Sequence, residues 1–489
     1  MKQIITQFAF GVGFLLLTAC TEKVTSPQPV NGYPPIYPDY TEVTIPATIA
    51  PMNFSITDKT YEKADVIVKG TQGKALHVNG KTISFDEDEW HQLAEQNKGD
   101  SLMFTVSLKK GGKWFQYRSF PMYVSEYPID YGVAYRLIAP GYEVYSKMGI
   151  YQRNLSNFEE KAVIENTLVP GMCVNCHTMN QTQPEKLSLH VRGMNGGTLF
   201  AQNESIEMLD TKTDSTLSAC VYPYWHPSGK YIAYSTNNTR QGFHAVKEER
   251  IEVMDNASDI VIYHPETHRL LLQPALQSPN AFETFPAFSP DGKNLYFCSA
   301  EAKSMPEEYK NVKYSLCRVS FNPETGHTSE KVDTLVSSSQ TGKSVSFPRP
   351  SYDGRYLMFT LSDYGNFSIW HKEADLYLLD LKTGEYRPIK EANSTDTESF
   401  HNWSSNSRWF VFSSRRDNGL YTYLYFASID EKGNITKPFM LPQQNPLDYY
   451  TDLVYSYNVP DFISSPIQLN VNELRSKITQ PERIKLKAQ

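Results

Sequence analysis

From residue 41 onward, apolar side chains come in short pieces that alternate with polar ones or run unbroken for a few positions between turn signals. Val43-Thr44-Ile45, Met52 to Ile56, Asp65 to Val68, Leu102 to Leu108 and Trp114 to Tyr117 have this form, and Gly111-Gly112 between the last two predicts a tight hairpin turn. Asp86 to Glu95 reads as one short helix, with acids at the end where the backbone dipole is positive. These pieces predict a small β-sandwich over 41–127, and nothing in it has the makings of a catalytic set.

Beyond residue 131 the pattern repeats. Tyr222-Pro223-Tyr224-Trp225-His226-Pro227-Ser228-Gly229-Lys230 has counterparts beginning at Phe285-Pro286, Phe347-Pro348 and, more weakly, Phe400-His401. The second residues stand at 223, 286, 348 and 401, so the steps are 63, 62 and 53 residues. Each copy ends an apolar strand, turns tightly on Gly or Asn, carries one basic residue and enters a strand rich in aromatics. A later hairpin follows, clearest at Ala374 to Glu385. Periods of this length suit one four-stranded blade with long loops. The motif resembles the TolB-like, WD40-like repeats written P-x-[WF]-S-P-D-G-[KR], most closely over 220–430. The resemblance implies a β-propeller over 131–467, counted at six blades with five to seven open. Thr451 to Tyr457 is expected to complete a blade begun near residue 135, closing the ring by strand exchange. The region at 41–127 is similar to Ig or fibronectin sandwiches. The fold class is therefore all-β.

The chain ends add a different kind of information. Lys2, an apolar Phe8 to Leu17 too short to span a bilayer, and Leu17-Thr18-Ala19-Cys20 resemble a lipoprotein signal over 1–20 with a bacterial lipobox. That resemblance implies acylation of Cys20, attachment to a lipid membrane, and residence in a bacterial cell envelope, on the periplasmic or outer-membrane face. Pro-rich residues 21–40 read as an extended spacer. The polar, basic tail 468–489 reads as solvated chain or a short helix. The net charge of −7 and the lack of a basic stripe argue against nucleic acid as a partner.

Of 6 cysteines, Cys173 and Cys176 belong to Cys173-Val174-Asn175-Cys176-His177, the attachment signature of c-type haem. Two thiols add to the two vinyl groups on one porphyrin edge, and the adjacent imidazole reaches the iron, so the spacing follows from the chemistry. With 6 Cys and 11 His in 489 residues, chance supplies such a pattern about 0.002 times per chain. A redox pair, a zinc site or a plain disulfide are the rival uses of these residues. The motif implies one covalent haem c held by Cys173 and Cys176, with His177 as proximal iron ligand. Cys220, Cys298 and Cys317 remain, and Cys298 and Cys317 lie in strand-like runs that allow either pairing or buried thiols.

Aligned with the repeats, the haem segment 170–185 takes the place held elsewhere by the Pro-x-[WF]-S-P-D-G turn. His177, His226 and His401 then occupy equivalent loops on one face. Distal-ligand candidates are Met194, His190, His226 and Met179, with Met194 first because Gly193 and Gly196-Gly197 let its backbone bend. Three functions fit these residues. The first is a membrane-anchored c-type cytochrome passing electrons to a redox partner protein. The second is a haem enzyme acting on a small nitrogen compound. The layout is similar in outline to the propeller haem domain of the hydrazine synthase alpha subunit. That domain carries a tyrosine shortly after the haem histidine, where Gln181 stands here. The third is a TolB-like module that binds a protein or glycan, with the haem as a structural clasp.

Overall fold

The computed structural model describes residues 22–489 apart from 81–82, 141–146, 245 and 247–248. The lipobox and Cys20 lie outside the described residues. Beyond residue 131 the strands form six small sheets, each ordered as an antiparallel meander, and they make the six blades of a β-propeller. Their inner strands are Ser456–Ile463, Cys173–Asn180, Cys220–Trp225, Ala281–Phe288, Ser344–Pro350 and Glu398–Trp403, for blades 1 to 6. Each touches the next, and Ser456–Ile463 touches both Glu398–Trp403 and Cys173–Asn180. The ring closes by the expected strand exchange but with a later strand than 451–457: Thr451 and Asp452 end the helix Pro446–Asp452, and Ser456–Ile463 pairs antiparallel with Gly132–Ile138, the first propeller strand in the chain. Closure leaves the inner strands buried on both faces, which accounts for their unbroken apolar runs.

The turn Ser-Pro-Asp-Gly explains why the repeats are so regular. Ser289 Oγ donates to the Asp291 carboxylate at 2.5 Å and accepts the Asn294 amide at 3.0 Å, while Gly292 takes φ 70°. The equivalent Ser351, Asp353 and Gly354 repeat the arrangement. A side chain other than glycine is strained there, so the turn residues are dictated by backbone geometry.

Before the propeller, residues 28–125 build a seven-stranded sheet that branches at Ser101–Lys110, plus a short ladder of Ile36–Tyr37 with Ser55–Ile56. The expected helix is Glu87–Gln96, capped by the Asp86 carboxylate, which accepts the Glu89 amide at 3.0 Å. Gly111 and Gly112, at φ 53° and 72°, make the expected hairpin turn. This sheet shares a core with blades 5, 6 and 1, and Tyr40, Asn53 and Tyr127 hydrogen-bond with Met440, Gln444 and Trp409.

Two terminal segments differ from expectation. The Pro-rich stretch read as a spacer carries strands Gln28–Val30 and Ile36–Tyr37 and buries Tyr40 completely. Proline is tolerated because these are edge strands. The basic tail is not loose chain either. After the helix Val471–Thr479, residues Ile484–Lys485 and Lys487–Ala488 add parallel edge strands to blades 2 and 3. Leu474, Ile478 and Leu486 are buried beneath it. Cys298 and Cys317 are free buried thiols on adjacent strands, one residue out of register, and they enter two different core clusters on opposite faces of blade 4.

The belt generates a prediction. Each buried aliphatic side chain stabilises by about 1.5–3 kcal/mol. A chain ending at Ile467 gives up three such side chains and should therefore lose roughly 4.5–9 kcal/mol, read as a lower urea midpoint, while its far-ultraviolet spectrum stays that of a β protein. An unchanged midpoint would show that the tail does not dock.

Candidate functional site

In every inner strand one non-glycine residue lies in the left-handed region: Cys176, Tyr222, Phe285, Phe347, Phe400 and Val459, with φ between 49° and 53°. At each the strand register slips, so each is a β-bulge. The next residue is Pro223, Pro286, Pro348 or Pro460 in four blades and His177 or His401 in the other two. Proline has no amide hydrogen to leave unpaired at a bulge, which explains its place in the repeat. The left-handed side chains of blades 3 to 6 form a collar of rings, with centroids 4.6 Å apart for Tyr222–Phe285, 4.1 Å for Phe285–Phe347 and 4.9 Å for Phe347–Phe400. Blades 1 and 2 put Val459 and Cys176 there instead, and the collar is open on their side. A cavity of about 560 Å³ occupies this region, within the usual size of a cofactor or ligand pocket.

Blade 2 supplies one wall. In a plain strand residues three apart face opposite sides. The extra residue at the Cys176 bulge cancels that, and both Cys173 and Cys176 line the cavity. Strand pairing sets Arg192 opposite Cys173 and His190 opposite Asn175, so Cys173, Asn175, His190 and Arg192 share one face. The two thiols are free. His177 is buried, and neither ring nitrogen has a well-formed hydrogen bond, although the Ala134 carbonyl lies beside it. Burial, reinforced by the charge of Arg136, holds the His177 imidazole down to about 4. Burial and Arg192 hold His190 down to about 4, and burial and Arg349 hold His401 down to about 3. All three are neutral at pH 7, the form that ligates a metal. Asp461, also in the lining, is pushed up to about 6 by burial, opposed by Arg349, and accepts a hydrogen bond from Asn402.

The sequence-derived candidates therefore separate. Cys173, Cys176, His177 and His190 come together on the cavity. His226 does not. It sits at the far end of its strand, packed on Phe288, with Nε2 donating to the Gly292 carbonyl at 3.1 Å and Nδ1 2.7 Å from Ser228 Oγ. Met179 is part of the blade 2 core. Met194 is 99% exposed, on a glycine-rich turn that carries it away from the lining. The haem segment does take the place of the Pro-x-[WF] motif, with Cys176-His177 equivalent to Tyr222-Pro223, but in both blades that place is an inner strand, Cys173–Asn180 here, and not a turn between blades. His177 and His401 are consequently equivalent, and His226, three positions further along, is not.

Sequence reasoning missed Arg136, Arg192 and the aromatic collar. The aromatic-proline pair of each repeat was the visible trace of the collar, but only the backbone conformation shows that its ring turns inward.

The donor set fits a covalent haem: two unpaired thiols on one wall, an adjacent neutral imidazole with unpartnered nitrogens, and space beside them. No protein-family model matches the chain, and no curated protein matches it. Among solved structures, a Synechocystis apocarotenoid oxygenase is similar over 88% of this chain and 97% of its own, at 11% identity and a TM-score of 0.39. An oligogalacturonate lyase in complex with manganese is similar over 62% and 72%, at 11% identity and 0.36. Prolyl oligopeptidase B from Galerina marginata is similar over 86% and 62%, at 10% identity and 0.34.

Proposed function

We propose that this protein is a c-type cytochrome of the bacterial envelope, tethered by acylated Cys20, that carries electrons through one haem in its propeller cavity. The observation behind this reading is the meeting of Cys173, Cys176 and His177 on one cavity wall. Cys173 and Cys176 would hold the porphyrin by thioether bonds, and His177 would ligate the iron. Bound there, the haem supplies a one-electron couple. Of the earlier distal candidates, His190 is the one that lines the cavity. The collar side chains Tyr222, Phe347 and Phe400 would give the macrocycle apolar surface. A redox partner protein docks at the open face.

The purified protein, denatured in acidified organic solvent, should keep its pigment. Cys173→Ala or Cys176→Ala should each leave a single thioether and shift the reduced absorption band, and the double variant should carry no covalent haem. Reduced iron should be six-coordinate and inert to carbon monoxide, and His190→Ala should open it to that ligand. Released pigment, or none, removes the cytochrome reading, whereas open iron in the wild type replaces electron carriage with chemistry on a bound ligand.

Cys20→Ala should move the protein from the detergent phase to the aqueous phase in phase partitioning. An unchanged distribution rules out the acyl anchor.

In the haem-free double variant, His177, His190 and His401 have folded-state values below the unfolded value of about 6.5. Their contribution is therefore complete above about pH 6.5, and stability falls as the pH drops toward 4. Iron ligation withdraws His177 from that titration, so haem-loaded protein should lose less. Urea midpoints at pH 7 and pH 5 check this, and equal losses in the two forms would refute His177 as the ligand.

A further inference from the structure

We propose that the cavity also binds a small free oxyanion, held between Arg136 and Arg192 beside Cys173. Among the described residues, the cavity lining includes three guanidinium groups, Arg136, Arg192 and Arg349, and one carboxylate, Asp461. Arg349 and Asp461 act on one another electrostatically, and Arg349 also donates to the Pro348 carbonyl and stacks over Tyr224. Arg136 and Arg192 have no such company. Among the described residues neither side chain makes a hydrogen bond or an ion pair, and Arg136 Nε is buried without a partner. Burial presses most on the Arg136 charge and Arg192 adds to it, with Cys176, Tyr222 and Cys173 acting in the opposite sense. A guanidinium stays protonated under these conditions, so the charge persists and an anion is what satisfies it.

The placement narrows the ligand. Arg192 lies directly across the strand pair from Cys173, which puts their Cβ atoms about 5 Å apart. Arg136 comes from blade 1, its charge felt by Cys173, Cys176 and His177. Two planar forks from different blades suit a small oxyanion bound by paired N–H donors. A porphyrin bears its vinyl groups and its propionates on opposite edges, so arginines beside the attachment cysteines sit at the edge remote from the haem's own carboxylates. The site belongs to the chain and is present with or without haem.

Calorimetric titration with sulfate and nitrate, both poor iron ligands, tests this in the wild type and in the haem-free Cys173→Ala/Cys176→Ala variant. Binding is expected in both forms, weakened at least about tenfold by Arg192→Gln and by Arg136→Gln and falling with ionic strength. Arg192 is exposed at the cavity edge, so Arg192→Gln keeps the test valid if the Arg136 variant does not fold. No binding in either form, or binding unchanged in Arg192→Gln, overturns the site. Binding confined to the haem-free form assigns the arginines to the haem propionates and likewise overturns a free-anion site. If the wild type carries no haem but binds sulfate with this arginine dependence, the cytochrome reading fails and this one stands.

Discussion

One backbone constraint recurs six times in this protein: a non-glycine residue held left-handed in the middle of each inner strand. Such a conformation costs on the order of 1–3 kcal/mol per residue and persists only where the surroundings over-determine it. Here the surroundings are the neighbouring inner strands, packed edge against edge around the ring. The bulge turns one side chain per blade inward and leaves the following position without a ladder bond to make. The aromatic collar and the placing of Cys176 and His177 follow from which residue each blade puts at those two positions.

Four blades use them for packing, with an aromatic followed by proline or, in blade 6, histidine. Blade 2 puts Cys176 and His177 there. The bulge that elsewhere closes the channel with a ring thus brings two thiols to one side and sets an imidazole beside them. The same burial keeps His177, His190 and His401 neutral and, among the described residues, leaves the Arg136 side chain without an ion-pair partner. Neutral nitrogen donors and unpaired cations in one cavity have opposite appetites, one for a metal and the other for an anion.

The rest of the chain holds the ring shut. Ser456–Ile463 completes the first blade, the sheet over 28–125 shares its core with blades 5, 6 and 1, and the C-terminal belt crosses blades 2 and 3. The belt braces the blade that carries Cys173 and Cys176: Arg483 donates to the Asn195 carbonyl at 3.0 Å, on the turn that follows Arg192. That turn also carries Met194 outward, which explains why a methionine well placed in sequence is absent from the cavity wall.

Local chemistry was legible in the chain without its fold. The Ser-Pro-Asp-Gly turns, the helix capped by Asp86, the Gly111-Gly112 hairpin and the Cys173-to-His177 spacing each depend on residues a few positions apart, and short-range sterics or bond lengths dictate their order. Repetition of the turns was enough to expect a propeller, and the flanking strands bounded its blades at five to seven and pointed to closure by strand exchange. What required the tertiary structure was every relation between blades. His226 and His401 look alike in aligned repeats, yet three residues along a strand is about 10 Å, so His401 follows the bulge at the cavity while His226 lies just beyond the end of its strand. Arg136 and Arg192 are 56 positions apart in the chain and share a cavity only because blades 1 and 2 are neighbours. A linear pattern records which side chain a turn needs; which side chains meet across a closed ring is set by register and by the bulge, and neither is written in the spacing of residues.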